Sequence, residues 1–300
     1  MTTPNRAAIL NKTLRVLKKH YKPAAPSADM PVLEALLLAS CLENAHLHTA
    51  EKVFAAIKTS FFDWNEVRVS TVKELAEVME PLPEPGEAAG RLKGILQSVF
   101  ESEYSFDLES LKKQNIGQAT KRLNKLDGMT QFVASYAVQM ALGGHSIPVD
   151  RGLLGAMVVL GVINDSDAEA GVVPGIERAI PKSKGREFGR LLHELGADFA
   201  TNPHSPALRD LLVSIVPDAR QRMPKRGAKK PPAEPPAPPP KESAGKKKPA
   251  GKVPVERKKE PAGARKSLAR DRKAAAAQPK KKIALAKKKS IKPLARRKPR

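Results

Sequence analysis

The sequence predicts an all-α domain followed by a disordered basic tail, and three observations predict it. Apolar residues recur at helical spacing through the first 220 residues. No segment shows convincing strand alternation, and no repeat of fixed period is present. Charge is segregated: residues 221–300 hold 29 Lys/Arg against 5 Asp/Glu, whereas the first 220 residues carry a net charge of −1.

The elements follow in order. Ile9, Leu10, Leu14 and Leu17 mark a first helix. VLEALLLASCL (32–42) is apolar on nearly every side and predicts a buried central helix. Segment 49–61 is amphipathic through Val53, Phe54, Ile57 and Phe61, and Trp64 then falls in a loop-like FFDWNEV stretch. A helix over 70–79 has Ser70 as its expected N-cap. PLPEPG (81–86) breaks the chain before a helix over 87–101, and shorter pieces follow at 107–113 and 116–124. Phe132, Val133, Tyr136, Ala137 and Met140 share one face of a helix over 130–142, which Gly143 and Gly144 should stop. Buried helices are expected after Asp150, over 186–199 and over 206–216.

Few residue patterns suggest chemistry. Cys41 is the single cysteine, which excludes an internal disulfide framework and a cysteine-ligated iron–sulfur cluster. His46 and His48 are two apart and face differently on a helix, so with Glu43 they make no convincing metal site; no metal or other cofactor is expected. The turn KLDGM before the helix at 130 can point backbone N–H groups at an anion, although a glycine in a helix–helix turn is commonplace. Asp150 stands where an N-cap should be, and its spacing alone favours a cap over a catalytic carboxylate.

The order of these pieces resembles the helix-hairpin-helix DNA glycosylase superfamily, with endonuclease III as the familiar member. The family's hairpin, L-P-G-V-G-x-K-T-A, compares with Leu126-Asp127-Gly128-Met129-Thr130-Gln131-Phe132-Val133-Ala134. IPVDRGLLGAM resembles the family's I-x-V-D-T-H-V-x-R-V segment, and the Gly/Pro loop matches Gly143, Gly144 and Pro148. The resemblance spans roughly residues 5–215 and implies a two-lobed fold. Its lobes would be 30–145 and 1–29 plus 146–216. It implies that Asp150 is the carboxylate that supports cleavage of an N-glycosidic bond, and that Gly128, Met129, Thr130 and Gln131 meet DNA phosphate. Cys41, Glu43, Phe132 and His145 become candidates for the substrate pocket.

The departures shape the expected function. The family's lyase lysine aligns with Phe132, which has no amine, so Schiff-base chemistry by that route is excluded. Thr130 replaces the second hairpin glycine, Asp127 replaces proline, and the family's four-cysteine cluster is absent. The resemblance therefore implies a monofunctional DNA N-glycosylase of base excision repair, a monomer acting on double-stranded DNA. The alternatives are a non-catalytic architectural DNA-binding protein of the same fold and a helical interaction module.

The tail, with Lys246, Lys247 and Lys248 among its basic runs, resembles those of linker histones. It would bind duplex phosphates by counterion release, without reading sequence. The chain has no signal-peptide pattern and no run of eighteen apolar residues, so an intracellular, DNA-associated protein with no membrane partner is expected.

Overall fold

The computed structural model describes residues 6–21 and 29–225. The expectations for the tail beyond Lys225, Lys246, Lys247 and Lys248 included, lie outside the described residues. Helix α1 (Arg6–His20) is followed by α2 (Val32–Leu42), in which every residue except Glu34 is buried. That explains a run with almost no polar side: α2 is the axle of the first core. Helix α3 (Leu47–Ser60) packs against it.

Two local expectations are corrected next. Trp64 does not lie in a loop but opens α4 (Trp64–Val69), capped by the Asp63 carboxylate, which accepts from the Glu66 amide at 2.8 Å. The Trp64 ring stacks on Phe54 with centroids 6.0 Å apart. Ser70 does not cap α5 (Val72–Val78), because its hydroxyl donates back to the Glu66 carbonyl of α4 at 2.8 Å. Thr71 is the cap, in a reciprocal pair with Glu74: the Glu74 amide donates to Thr71 Oγ1 and Glu74 Oε2 accepts from the Thr71 amide.

Helix α6 (Pro85–Glu103) starts inside the segment expected to break it, since proline is tolerated in a first turn, where its missing N–H has no intrahelical partner. A 3₁₀ turn (Glu109–Lys113) leads to α7 (Ile116–Leu123), and a tight turn joins α7 to α8 (Gln131–Met140). This turn needs Gly128, at φ +77°: a side chain there would run into the backbone of Arg91 on α6. Gly94 of α6 clears the other side, because a Cβ at that position would stand 3.0 Å from the Asp127 carbonyl oxygen. Ser98 Oγ accepts from the Asp127 amide at 2.9 Å and completes the docking of the turn onto α6. Beyond α8, Gly143 at φ +64° reverses the chain.

Helix α9 (Arg151–Val159) begins immediately after Asp150. Two short helices without an apolar period follow, α10 (Asp165–Glu169) and α11 (Ile176–Ala179), then α12 (Gly185–Thr201), α13 (Pro206–Ile215) and α14 (Ala219–Arg222). Helix α14 runs past residue 220 because Ala219 is buried and Arg222 Nε donates to the Val159 carbonyl at 2.8 Å.

The helices build two cores. One is filled from α2 to α8 by residues between Val32 and Ala141. The other unites Ile9, Leu10, Leu14 and Leu17 of α1 with residues between Ile147 and Ala219. No strand occurs among the described residues. Helix α8 belongs to the first core and α12 to the second, and the seam between them carries the candidate site.

Candidate functional site

The site starts with the helix that Asp150 caps. Its Oδ1 accepts from the Leu153 amide at 2.7 Å, so the cap reading of this residue is realised. The carboxylate is nonetheless buried, at 3% exposure, because α12 crosses over it. The crossing depends on glycines: a Cβ on Gly196 would lie 2.7 Å from Asp150 Oδ1, and one on Gly152 would overlap the Gly196 carbonyl.

The second carboxylate oxygen, Oδ2, stands 3.3 Å from Nδ1 of His193 on α12. That separation is within ion-pair range, but the alignment is poor, and neither atom completes a hydrogen bond to a side chain or backbone group. The opposite nitrogen, Nε2, donates to the Ala45 carbonyl at 2.8 Å. Burial by itself would lower the His193 pKa, but the adjacent Asp150 carboxylate, the Ala45 carbonyl and the Glu194 charge together raise it.

His193 also walls a cavity of about 560 Å³ between the two lobes. Leu38, Leu42, Phe132, Tyr136 and Met140 form the apolar side; Gln139, His145, Arg186 and Arg190 supply polar groups. Phe132 lies 5.5 Å from the His193 ring, centroid to centroid, and stacks on Tyr136 at 6.3 Å. Burial, aided by the Glu51 charge, pushes the Tyr136 hydroxyl up to about 12, so it stays a neutral donor near pH 7. His145 Nε2 donates to the Glu177 carbonyl at 2.8 Å, which ties the 143–149 loop to α11.

The candidates taken from the sequence divide. Phe132 and His145 line the cavity, whereas Cys41 and Glu43 do not. Cys41 is packed inside the first core, and burial pushes its thiol up to about 12. Glu43, just past the end of α2, reaches the start of α8, accepting from Thr130 Oγ1 at 3.0 Å with Arg91 Nε 3.3 Å away. Burial raises its pKa against the opposing Arg91 charge. Thr130 also caps α8 by accepting from the Val133 amide at 3.1 Å. The amides of Thr130, Gln131 and Phe132 have no acceptor among the described residues. His46 contacts Glu194 and Asp198 of α12, while His48 is exposed. Among the described residues, no group of three or more His, Cys, Asp or Glu is placed to hold a metal.

His193 has no place in the sequence-level site. The available signal was its position on the small-residue face of α12 with Gly189 and Gly196, where a polar ring requires a partner.

A solved structure of a trapped endonuclease III–DNA covalent intermediate matches the chain with a TM-score of 0.50 over 73% of this chain and 99% of that one, at 15% identity. The fold is that of the helix-hairpin-helix glycosylases. In this chain the cavity and Asp150 lie where the two cores meet. A further similar structure is the H. pylori 3-methyladenine DNA glycosylase bound to 1,N6-ethenoadenine, with a TM-score of 0.45 and 19% identity over 65% of this chain and 96% of that one. No protein-family model and no curated protein matches the sequence.

Proposed function

We propose that the protein is a DNA N-glycosylase without lyase chemistry. The observation that carries this reading is the cavity at the lobe boundary, with Asp150 one imidazole away from its wall. Its volume falls in the roughly 300–1,000 Å³ range of small-ligand pockets, and its aromatic and aliphatic lining suits a flat base turned out of a duplex. The reaction breaks the bond from C1′ to the base nitrogen, and the electron pair leaves with the base. Water adds at C1′, and its proton goes to the departing base. Positive charge develops on the sugar, and the Asp150 carboxylate stabilises it. Phe132 has no amine with which to form an imine at C1′. The free amides of Thr130, Gln131 and Phe132, with the dipole of α8, would take a phosphate, with Gly128 and Met129 shaping the turn. The basic residues beyond 225, Lys246, Lys247 and Lys248 among them, would add sequence-independent affinity for double-stranded DNA.

One observation favours a second reading, a DNA-binding protein with no chemistry: the carboxylate is 3% exposed, with one oxygen on a helix cap and the other against His193. Duplexes carrying single alkylated, deaminated, oxidised or mismatched bases, incubated with the full chain and then treated with alkali, separate the two. Strand cleavage that disappears in Asp150→Asn supports the enzyme. Tight, salt-sensitive binding with every base left in place supports the second reading. Base loss that Asp150→Asn leaves intact removes Asp150 from the mechanism.

A further inference from the structure

His193 is buried and titratable, and the reaction described above gives it no role. Its hydrogen bonds limit its protonation. The Ala45 carbonyl can only accept, so Nε2 carries a proton. A neutral ring would then turn the lone pair of Nδ1 toward Asp150 Oδ2, 3.3 Å away, and burial of both groups strengthens the repulsion. A proton between the two atoms removes that repulsion. The imidazole is the stronger base of the two groups, which places the proton on the ring. Around the pair stand Glu194 and Arg190 on α12, Glu43 and His46 on the loop between α2 and α3, and Glu51 across the cavity on α3. Glu194 adds to the hold on the proton.

We propose that His193 is a positioning residue for Asp150: it shares one buried proton with the carboxylate and fixes that pair to the Ala45 carbonyl of the other lobe. The inference deepens the glycosylase reading, which enters only through the role given to Asp150; the shared proton itself stands on geometry. A ligand that fills the cavity meets the imidazole before it meets the carboxylate. Displacing the ring, or removing its proton, frees Oδ2 while Oδ1 stays on the Leu153 amide, so Asp150 turns toward the cavity without uncapping α9.

Ring-nitrogen NMR of the full chain, labelled at histidine and followed over a pH series, tests this. His193 is assigned by the signals that vanish in His193→Gln. Its ring keeps both nitrogens protonated at pH values above the ordinary one near 6.5. In Asp150→Asn, which preserves a good helix cap, the ring becomes neutral at lower pH than in the parent and keeps its proton on Nε2. If Asp150→Asn is poorly folded, Asp150→Ser keeps the capping oxygen without the charge and serves in its place. A His193 ring that is neutral at pH 7 in the unaltered protein overturns the proposal, as does a titration that the Asp150 substitutions leave unmoved. Base release is a separate readout. Its absence on every lesion removes the reaction assigned to Asp150 and leaves the NMR result standing. Where base release is seen, His193→Gln should change the pH profile of kcat rather than KM alone.

Discussion

Replacing Gly152 by alanine tests how closely the Asp150 site depends on one helix crossing. Helices α9 and α12 form the most extensively packed pair in the fold, and Gly152 faces Gly196 where they meet. A methyl on Gly152 would overlap the Gly196 carbonyl oxygen, stand 2.8 Å from its carbon and press on Ala200 Cβ at 3.0 Å. Both main obstacles are backbone, so no rotamer change relieves them and the helices must move apart. Overpacking of this kind costs about 1–3 kcal/mol. Separating α12 from α9 also disturbs the Asp150 cap, worth about 1 kcal/mol. A total near 3 kcal/mol in a domain of this size lowers the melting temperature by about 6–12 °C. Far-UV circular dichroism of the full chain during heating reads it. Gly90→Ala is the control of opposite sign: Gly90 lies within α6 with nothing within 4 Å of a new Cβ, so the change should stabilise by about 0.5–1 kcal/mol. A Gly152→Ala protein melting within about 2 °C of the parent would refute the account of the crossing.

Three further outcomes follow from the same geometry. Thr71→Ala removes the reciprocal cap of α5 and should cost about 1 kcal/mol in urea denaturation, whereas Ser70→Ala, which loses only a hydroxyl bond back into α4, should cost less; equal losses would undo the correction of this helix start. Cys41 should resist a thiol reagent at pH 8 in the folded protein and react promptly in denaturant, since burial holds its pKa near 12; fast labelling of the native chain would contradict its place in the core. The raised pKa of His193 makes a signed prediction. Its stabilisation is fully present below the unfolded value near 6.5 and is lost as pH rises through the folded value. The stability difference between the parent and His193→Gln should therefore shrink with rising pH across that window, and a flat or growing difference in a denaturation series would count against it.

The large helices were legible because their burial is written as periodicity. The run at 32–42 is apolar on nearly every side and proves to be the centre of the first core, and Phe132, Val133, Ala137 and Met140 bury the face that their spacing marks. Helices α10 and α11 were not legible: α10 buries no residue and α11 buries only Ile176, so neither leaves a period to read. The start of α5 slipped by one residue because Ser70 and Thr71 are both capable caps, and only the back-bond of Ser70 into α4 distinguishes them. At the site, Asp150 was visible as a helix cap from its place before an apolar run. Its burial was hidden, because it depends on Gly196 and His193, which reach it only once α12 has folded across α9. Cys41 and Glu43 are pocket candidates through the family resemblance, which does not say that α2 turns Cys41 into the core and that Glu43 meets Thr130.

The second core has a consequence for synthesis. The first core is one unbroken stretch of chain, so it can close as soon as α8 has emerged. The second needs α1 together with α12 and α13. At about 5–20 residues per second, Ile215 leaves the ribosome on the order of ten seconds or more after Leu17. Until α11, α12 and α13 have all emerged, the apolar face of α1 with Leu10, Leu14 and Leu17 is not fully covered, and it is offered to chaperones and to neighbouring chains. Substitutions in α12 that slow its docking would therefore show first as lower soluble yield, before any measurement of DNA is made.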